Sequence, residues 1–345
     1  MNNAVARAGG HVTLIFSIQD DSENPDAQGS RGAGFCLRQG AEVSVNINPP
    51  SGGEHPDDEP QVDIAVFDYD GSVAPIECLE PYQVLLEELQ SSGQFSVSGH
   101  DIELKVMLEL PRSQGFGMSA AGLLAAARAL IGAVGITDAE EEGGIGGVAS
   151  DADNPPTEYD LASLVAHRTE RRLSSGLGDV LALSAGGIEL RLEPGAPGEY
   201  GRVVGFDAAL SPILVWGEVG KHTGDYIDDA AWKVRISAAG EDAVSRLRQG
   251  EWDQNKWPEL LHESANFAEI SGLHGEETRQ RLLNKVEEVL TLSGQSEGHV
   301  ARLCMLGTSV AILPLSLDMS PSESDVRCIT TQLDALGLNY LRTTI

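Results

Sequence analysis

Between residues 101 and 134 the chain passes from a strand-like segment into an Ala/Leu-rich helix through a turn that few residue types can make. Asp101 to Leu110 reads as a strand and meets Pro111. Gly115 and Gly117 follow, and a helix begins near Met118 or Ser119. Such a junction aims free backbone N–H groups and the positive end of a helix dipole at one point, an arrangement that suits a phosphate. The glycines let the backbone approach an anion with no Cβ in the way. Ser119 adds a hydroxyl for a phosphate oxygen or a magnesium ion. No Gly-Lys-Ser/Thr follows, so this is not a Walker A loop. By itself the same stretch serves equally well as a tight strand-to-helix turn without a ligand.

A chain of 345 residues exceeds one ordinary core, so two domains are expected, residues 1–190 and 191–345, with the boundary near Gly186 to Gly205. Strands are expected at His11–Ile18, Ala41–Asn48, Gln61–Phe67, Ile102–Leu110, Pro212–Gly217 and Leu303–Leu315. Helices are expected at Tyr82–Ser91, Ser119–Val134, Glu158–Leu173, Asp228–Arg248, Pro258–Ser271, Glu276–Ser293 and Ser322–Leu336. Mixed runs of both kinds in both halves give an α+β class. Pro49 to Pro60, Asp138 to Pro156 and Pro194 to Gly201 carry the turn chemistry of surface insertions.

Charge narrows the partners. Acidic residues number 53 against 23 basic ones, a net charge of −30, and lysine supplies five of the basic residues. No basic stripe exists to neutralise phosphates, so nucleic acid is excluded as a partner. The even spread of carboxylates and the scarcity of lysine resemble proteins of salt-accumulating halophiles. At molar salt the Debye length is about 3 Å and self-repulsion is screened. The longest apolar stretch, around Gly122 to Ile136, is interrupted by Arg128 and too short for a membrane span. Val12 to Ile18 reads as a strand rather than a signal peptide. Cys36, Cys78, Cys304 and Cys328 form no Cys-x-x-Cys pair and read as reduced thiols of a cytoplasmic protein.

Several motifs stand in an order that resembles the galactokinase, homoserine kinase, mevalonate kinase and phosphomevalonate kinase superfamily, the GHMP kinases. Pro111 and Gly115-Phe116-Gly117-Met118-Ser119-Ala120-Ala121 are similar to its glycine-rich loop. Ser175-Gly176-Leu177-Gly178-Asp179, followed by Gly186-Gly187, is similar to the segment bearing its aspartate. The first family motif, Ala-Pro-Gly-Lys, stands here as Ala8-Gly9-Gly10-His11. The third survives as Met305-Leu306-Gly307-Thr308-Ser309. Within the superfamily, Gly10-His11, Gly29-Ser30-Arg31-Gly32-Ala33-Gly34 and Ala166-His167-Arg168-Thr169-Glu170 resemble the archaeal pantoate kinase branch.

That resemblance implies a two-domain α+β fold with the active site in the inter-domain cleft. It implies transfer of the ATP γ-phosphoryl group, with magnesium, to the 4-hydroxyl of (R)-pantoate on the route to coenzyme A. Gly115, Phe116, Gly117, Met118, Ser119 and Ala120 would bind the phosphates. Ser119 and Glu170 would hold the metal, since a hard cation takes carboxylate oxygen. A helix-surface ion pair is the other reading of Glu170. Asp179 would align the acceptor hydroxyl and take its proton, or else close an Asx turn. Arg31, with Arg168 and Lys221 behind it, would hold the acceptor's carboxylate by its guanidinium fork. His11 would bond the acceptor hydroxyl or a phosphate, or sit satisfied beside the first strand. The partners are then ATP and a small hydroxy acid, and a homodimer is one assembly open to such a chain. A homoserine, mevalonate or shikimate kinase, and a nucleotide-binding module without turnover, are the alternatives.

Overall fold

The structure is a computed structural model that describes residues 2–49, 61–97, 99–135, 160–217, 226, 229–318 and 322–345. Two of the expected insertions, Pro49 to Pro60 beyond its first residue and Asp138 to Pro156, lie outside the described residues, as does Lys221.

The first sheet is built on a long antiparallel pair, β1 (Asn2–Phe16) and β2 (Gly32–Asn48). Both strands are longer than their apolar runs predict. Gly32 and Gly34, residue types that suit loops, lie inside β2. A Cβ at either would run into the carbonyl oxygens of Ile15 and Val12 across the pair. These glycines serve close approach of two bulged strands, not loop freedom. Beside β2 run β4 (Asp101–Leu108) and then β3 (Val62–Phe67), the one parallel pair of the sheet. Further along β2 come β5 (Ile188–Glu193) and β6 (Arg202–Phe206), both antiparallel. The expected boundary at residue 190 therefore cuts a strand, and pairing in the first sheet continues to Phe206.

Helix α2 (Met118–Val134) packs against β1 and β2. Its Ala, Gly and Leu residues are buried on nearly every side, as expected of a helix without a polar face. Around it stand α1 (Glu80–Ser91), α3 (Leu161–Arg172) and the short α4 (Asp179–Ala185). Asp160 caps α3, its carboxylate accepting from the Ala162 and Ser163 amides.

The second sheet has the order β10 (Asn339–Arg342), β7 (Ile213–Trp216), β9 (Ser309–Pro314) and β8 (His299–Cys304), all antiparallel. The single strand expected over Leu303–Leu315 is two strands joined by a turn at Met305 to Thr308. Helices α5 (Ala230–Leu247), α6 (Trp257–Ile270), α7 (Glu277–Leu292) and α8 (Glu323–Ala335) match their expected positions within a few residues. Helix α5 packs on β1 and β2, and the Met305 amide donates to Thr13 O at 2.9 Å. The two sheets thus meet along β1, beside the mouth of the glycine-rich turn.

Candidate active site

The turn after β4 has the shape its sequence implies. Gly115 and Gly117 adopt φ of 74° and 69°, conformations costly to any residue with a Cβ. Space is also closed to a side chain. A Cβ on Gly115 would lie 2.8 Å from Met305 O, and one on Gly117 would lie 2.8 Å from the His11 amide nitrogen. Gly117 is the N-cap of α2, and no side chain caps that helix. The first-turn amides have no partner within the helix by geometry, so they remain available to an anion.

Phe116 turns its ring inward, edge-on to Trp216 at 6.2 Å between centroids, while its carbonyl accepts from the His11 amide at 3.0 Å. The loop is braced from behind by the β8–β9 turn. Gln114 donates to Gly217 O at 3.1 Å, and its carbonyl accepts from Ser309 Oγ. A Cβ on Gly307 would overlap Gln114. The reduced third motif, Met305 to Ser309, therefore acts as a buttress for the phosphate loop. Leu306 closes this turn with φ of 69°, a strained position for a γ-branched residue at the cavity wall.

A cavity of about 620 Å³ opens in front of this turn. Its wall includes the apolar Val66, Pro81, Leu108 and Pro111, the turn residues Gly115, Gly117, Met118 and Ser119, and Thr13, Phe16, Ser30, Gly178, Asp179 and Arg191. The glycine-rich turn and Asp179 therefore line one cavity. Ala120 is fully buried and belongs to the helix core rather than to the cavity wall.

Asp179 opens α4 and is partly open to the cavity. Its Oδ1 accepts from His11 Nδ1 at 2.7 Å and from Thr13 Oγ1 at 3.3 Å. Burial works against its charge, but the His11 hydrogen bond and the charges of His11 and Arg191 hold it below the usual carboxylate range. Glu170 is buried on α3 beside Ser119. Burial first, then the Asp179 charge, push its carboxyl up to about 8. Its Oε1 has no hydrogen-bond partner among the described residues. A Cβ on Gly176 would overlap that carboxylate, so the glycine makes the room it occupies.

This donor set fits a magnesium ion: one orphaned carboxylate, one hydroxyl, both hard oxygen donors. No group of three or more His, Cys, Asp and Glu side chains that could hold a metal occurs among the described residues. That agrees with a cation taken up mainly by nucleotide phosphates and water, with few protein ligands.

Two expected substrate contacts lie elsewhere. Arg31 bonds Glu193, Glu241 and the Leu192 carbonyl, and does not line the cavity. Successive side chains of an extended segment point to opposite faces. Ser30 faces the cavity, so Arg31 is turned to the other side. Arg168 pairs bidentately with Asp26 at 2.7 and 2.6 Å and borders a separate cleft with Asn24 and Gln28. In the same motif, His167 Nε2 lies 3.1 Å from Pro25 O.

Two arginines line the cavity: Arg112, paired with Asp68, and Arg191 of β5, 1% exposed and close to Thr13 and the Ile15 carbonyl. Sequence reasoning missed Arg191, together with Thr13, Ser30 and Glu189. The only local signal was the alternation of Ile188, Leu190 and Leu192 with Glu189, Arg191 and Glu193, which reads as a strand with a solvated charged face.

No family model matches the chain. It is 27% identical over 310 residues to the pantoate kinase of Methanospirillum hungatei, covering 88% of this chain and 85% of that protein. It is 29% identical over 263 residues to the pantoate kinase of Thermococcus kodakarensis, covering 76% and 74%. Among solved structures, a phosphotransferase related to the CoA biosynthesis pathway superposes with a TM-score of 0.73 at 24% identity, over 99% of this chain and 96% of that one. The homoserine kinase of Cytophaga hutchinsonii superposes with a TM-score of 0.59 at 16% identity, over 100% and 95%. The chain therefore has the GHMP-kinase fold, and its sequence is similar to pantoate kinases along most of its length.

Proposed function

We propose that this protein transfers the γ-phosphoryl group of ATP to the 4-hydroxyl of (R)-pantoate, giving ADP and 4-phosphopantoate. The observation that carries this reading is the sharing of one cavity by the uncapped α2 N-terminus and the ionised Asp179. Phosphoryl transfer needs positioning and charge neutralisation more than covalent help. The amides of Met118 and Ser119 hold the phosphates, and the apolar wall at Val66, Pro81 and Leu108 takes the base. Asp179 Oδ1 is engaged by His11 and Thr13, and Oδ2 carries neither bond. The acceptor hydroxyl is aligned on that oxygen and gives up its proton there as its oxygen bonds phosphorus and the bond to the β-phosphate oxygen breaks. Glu170 and Ser119 would hold the magnesium, which neutralises charge on the phosphates.

Arg191, beside Ser30 and Thr13, offers a guanidinium to the pantoate carboxylate, in place of Arg31 and Arg168. Phe16 supplies an apolar wall for the dimethyl carbon. The four cysteines are unpaired, in keeping with the reducing cytoplasm, and no helix among the described residues is long and apolar enough to cross a membrane. With a net charge of −30, the enzyme is expected to work best where salt screens its repulsion of ATP.

The test is ADP release with magnesium, in dilute buffer and in molar KCl, against pantoate, homoserine, mevalonate and shikimate. Turnover with pantoate in preference to the others, strongest in KCl, is the expected result. Turnover with another acceptor and not pantoate overturns the substrate assignment, and ATP binding without turnover on any acceptor overturns the kinase reading.

A further inference from the structure

Four charged side chains alternate in sign along one run of contacts, Arg191, Glu189, His11 and Asp179, whose first and last members both line the cavity. Glu189 and His11 are 0% exposed, whereas Asp179 is 28% exposed. His11 Nδ1 lies 2.7 Å from Asp179 Oδ1, and His11 Nε2 lies 3.0 Å from Glu189 Oε1. We propose that Glu189 is a positioning residue for phosphoryl transfer: it takes the Nε2–H of His11, so that a doubly protonated imidazole presents Nδ1–H to Asp179.

The argument is one of donors and acceptors. Ionised carboxylates only accept, and a neutral imidazole has one N–H. With ionised carboxylates on both ring nitrogens, only the imidazolium satisfies both contacts. A buried imidazolium is costly unless paired on every side, and Glu189 supplies the pairing that the solvent-facing Asp179 cannot give alone. Burial works against the charge on His11, but the two carboxylates together raise it above its ordinary value.

The other groups near this ring fit the same state. Thr13 Oγ1 lies 3.3 Å from Nδ1. From β5, Arg191 Nε stands 3.6 Å from Glu189 Oε2, balancing that carboxylate. From β2, Cys36 lies opposite His11 in register, its thiol pushed up by burial and so neutral. From α3, Glu170 feels the His11 charge. A Cβ on Gly34 would come within 2.9 Å of His11 Nε2, so a glycine there keeps the path to Glu189 open. The GHMP motif that this segment resembles carries a lysine at this position. A lysine brings its charge with it; a histidine needs Glu189 to keep one. The result is that Asp179 stays ionised and its Oδ1 stays fixed while Oδ2 meets the acceptor.

The proposal rests on Asp179 facing the acceptor, and its test separates the two ideas. The ring-nitrogen NMR shifts of His11 in the wild-type protein, without substrate, report the protonation state directly. Two N–H signals at pH 7.5 are expected, and a neutral tautomer overturns the proposal whatever the acceptor proves to be. In Glu189→Gln, the amide oxygen still accepts the hydrogen bond but the charge is gone. The alkaline limb of kcat/KM is expected to move down by about one pH unit or more, the size of effect a close opposite charge has. The KM for ATP is expected to hold. An unmoved limb with unchanged kcat overturns the proposal, and the nitrogen shifts need no variant, so they decide it even where E189Q fails to fold.

Discussion

Glu170 offers the sharpest test of how the site handles charge. Its carboxyl is pushed from an ordinary 4.5 up to about 8 by burial and by the Asp179 charge. A carboxyl whose folded pKa is raised stabilises the fold fully below its unfolded pKa. That contribution is lost as pH rises towards the folded value. The window here runs from about pH 4.5 to about 8. At ~1.36 kcal/mol per pH unit, the full loss across it is on the order of 5 kcal/mol. Glu170→Gln keeps the shape and removes the titration. Urea unfolding of both proteins, in one salt background, isolates the difference, because the repulsion from the net charge of −30 is nearly common to both. E170Q is expected to gain on the wild type by about 3 kcal/mol between roughly pH 5.5 and 7.5. Magnesium should recover part of the wild-type loss and none in E170Q, because the orphaned Oε1 is the atom the cation would satisfy. Parallel stability curves across this window would refute the placement of a buried carboxyl with an orphaned Oε1 beside Asp179.

Asp179→Asn should lower kcat by at least about 100-fold, the usual scale for losing a positioned base, while ATP affinity measured by titration calorimetry stays within severalfold. Unchanged turnover would remove Asp179 from the mechanism. Arg191→Lys keeps a cation but loses the fork. The KM for pantoate should rise about tenfold with the KM for ATP unmoved, in line with one charge-assisted hydrogen bond. A KM that does not change would place the carboxylate elsewhere.

What the sequence made legible was whatever depends on local chemistry. The glycine-rich turn and α2 are visible because positive φ and an Ala/Leu helix leave signatures in adjacent residues. The Asp179 segment is visible only through the resemblance of Ser175 to Asp179 to a family motif, since Gly178 has an extended φ of -152°. The β8–β9 hairpin was hidden because its turn, Met305 to Thr308, opens on two apolar residues and contains one glycine and no Pro, Asn or Asp. Strand β2 was shortened because Gly32 and Gly34 look like loop residues until β1 is seen lying against them. Arg31 stands beside glycines, but Gly32 and Gly34 answer to strand packing and say nothing of the guanidinium's direction. Arg191 and Glu189 were passed over because alternation marks a polar face without telling whether water or protein covers it. Here protein covers it, and the charges pair with each other and with a histidine 178 residues from Glu189.

The division of labour between Glu170 and Asp179 follows from these non-local contacts. Both carboxylates are close to the phosphate loop, and burial raises both. Asp179 has His11 and, through it, Glu189; Glu170 has an orphaned oxygen and the repulsion of Asp179. One carboxyl is thus held towards its ionised form and the other towards its protonated form, and a bound cation would favour loss of that proton. Two carboxyls pushed in opposite directions can take opposite roles at one pH. On the proposed function, the oxygen facing the acceptor would be charged before any ligand arrives, and Glu170 would lose its proton when a cation is there to neutralise it. A protein with so large an excess of acid can thus keep an anion site near neutrality: its cations, Arg191 and His11, are matched one to one by Glu189 and Asp179.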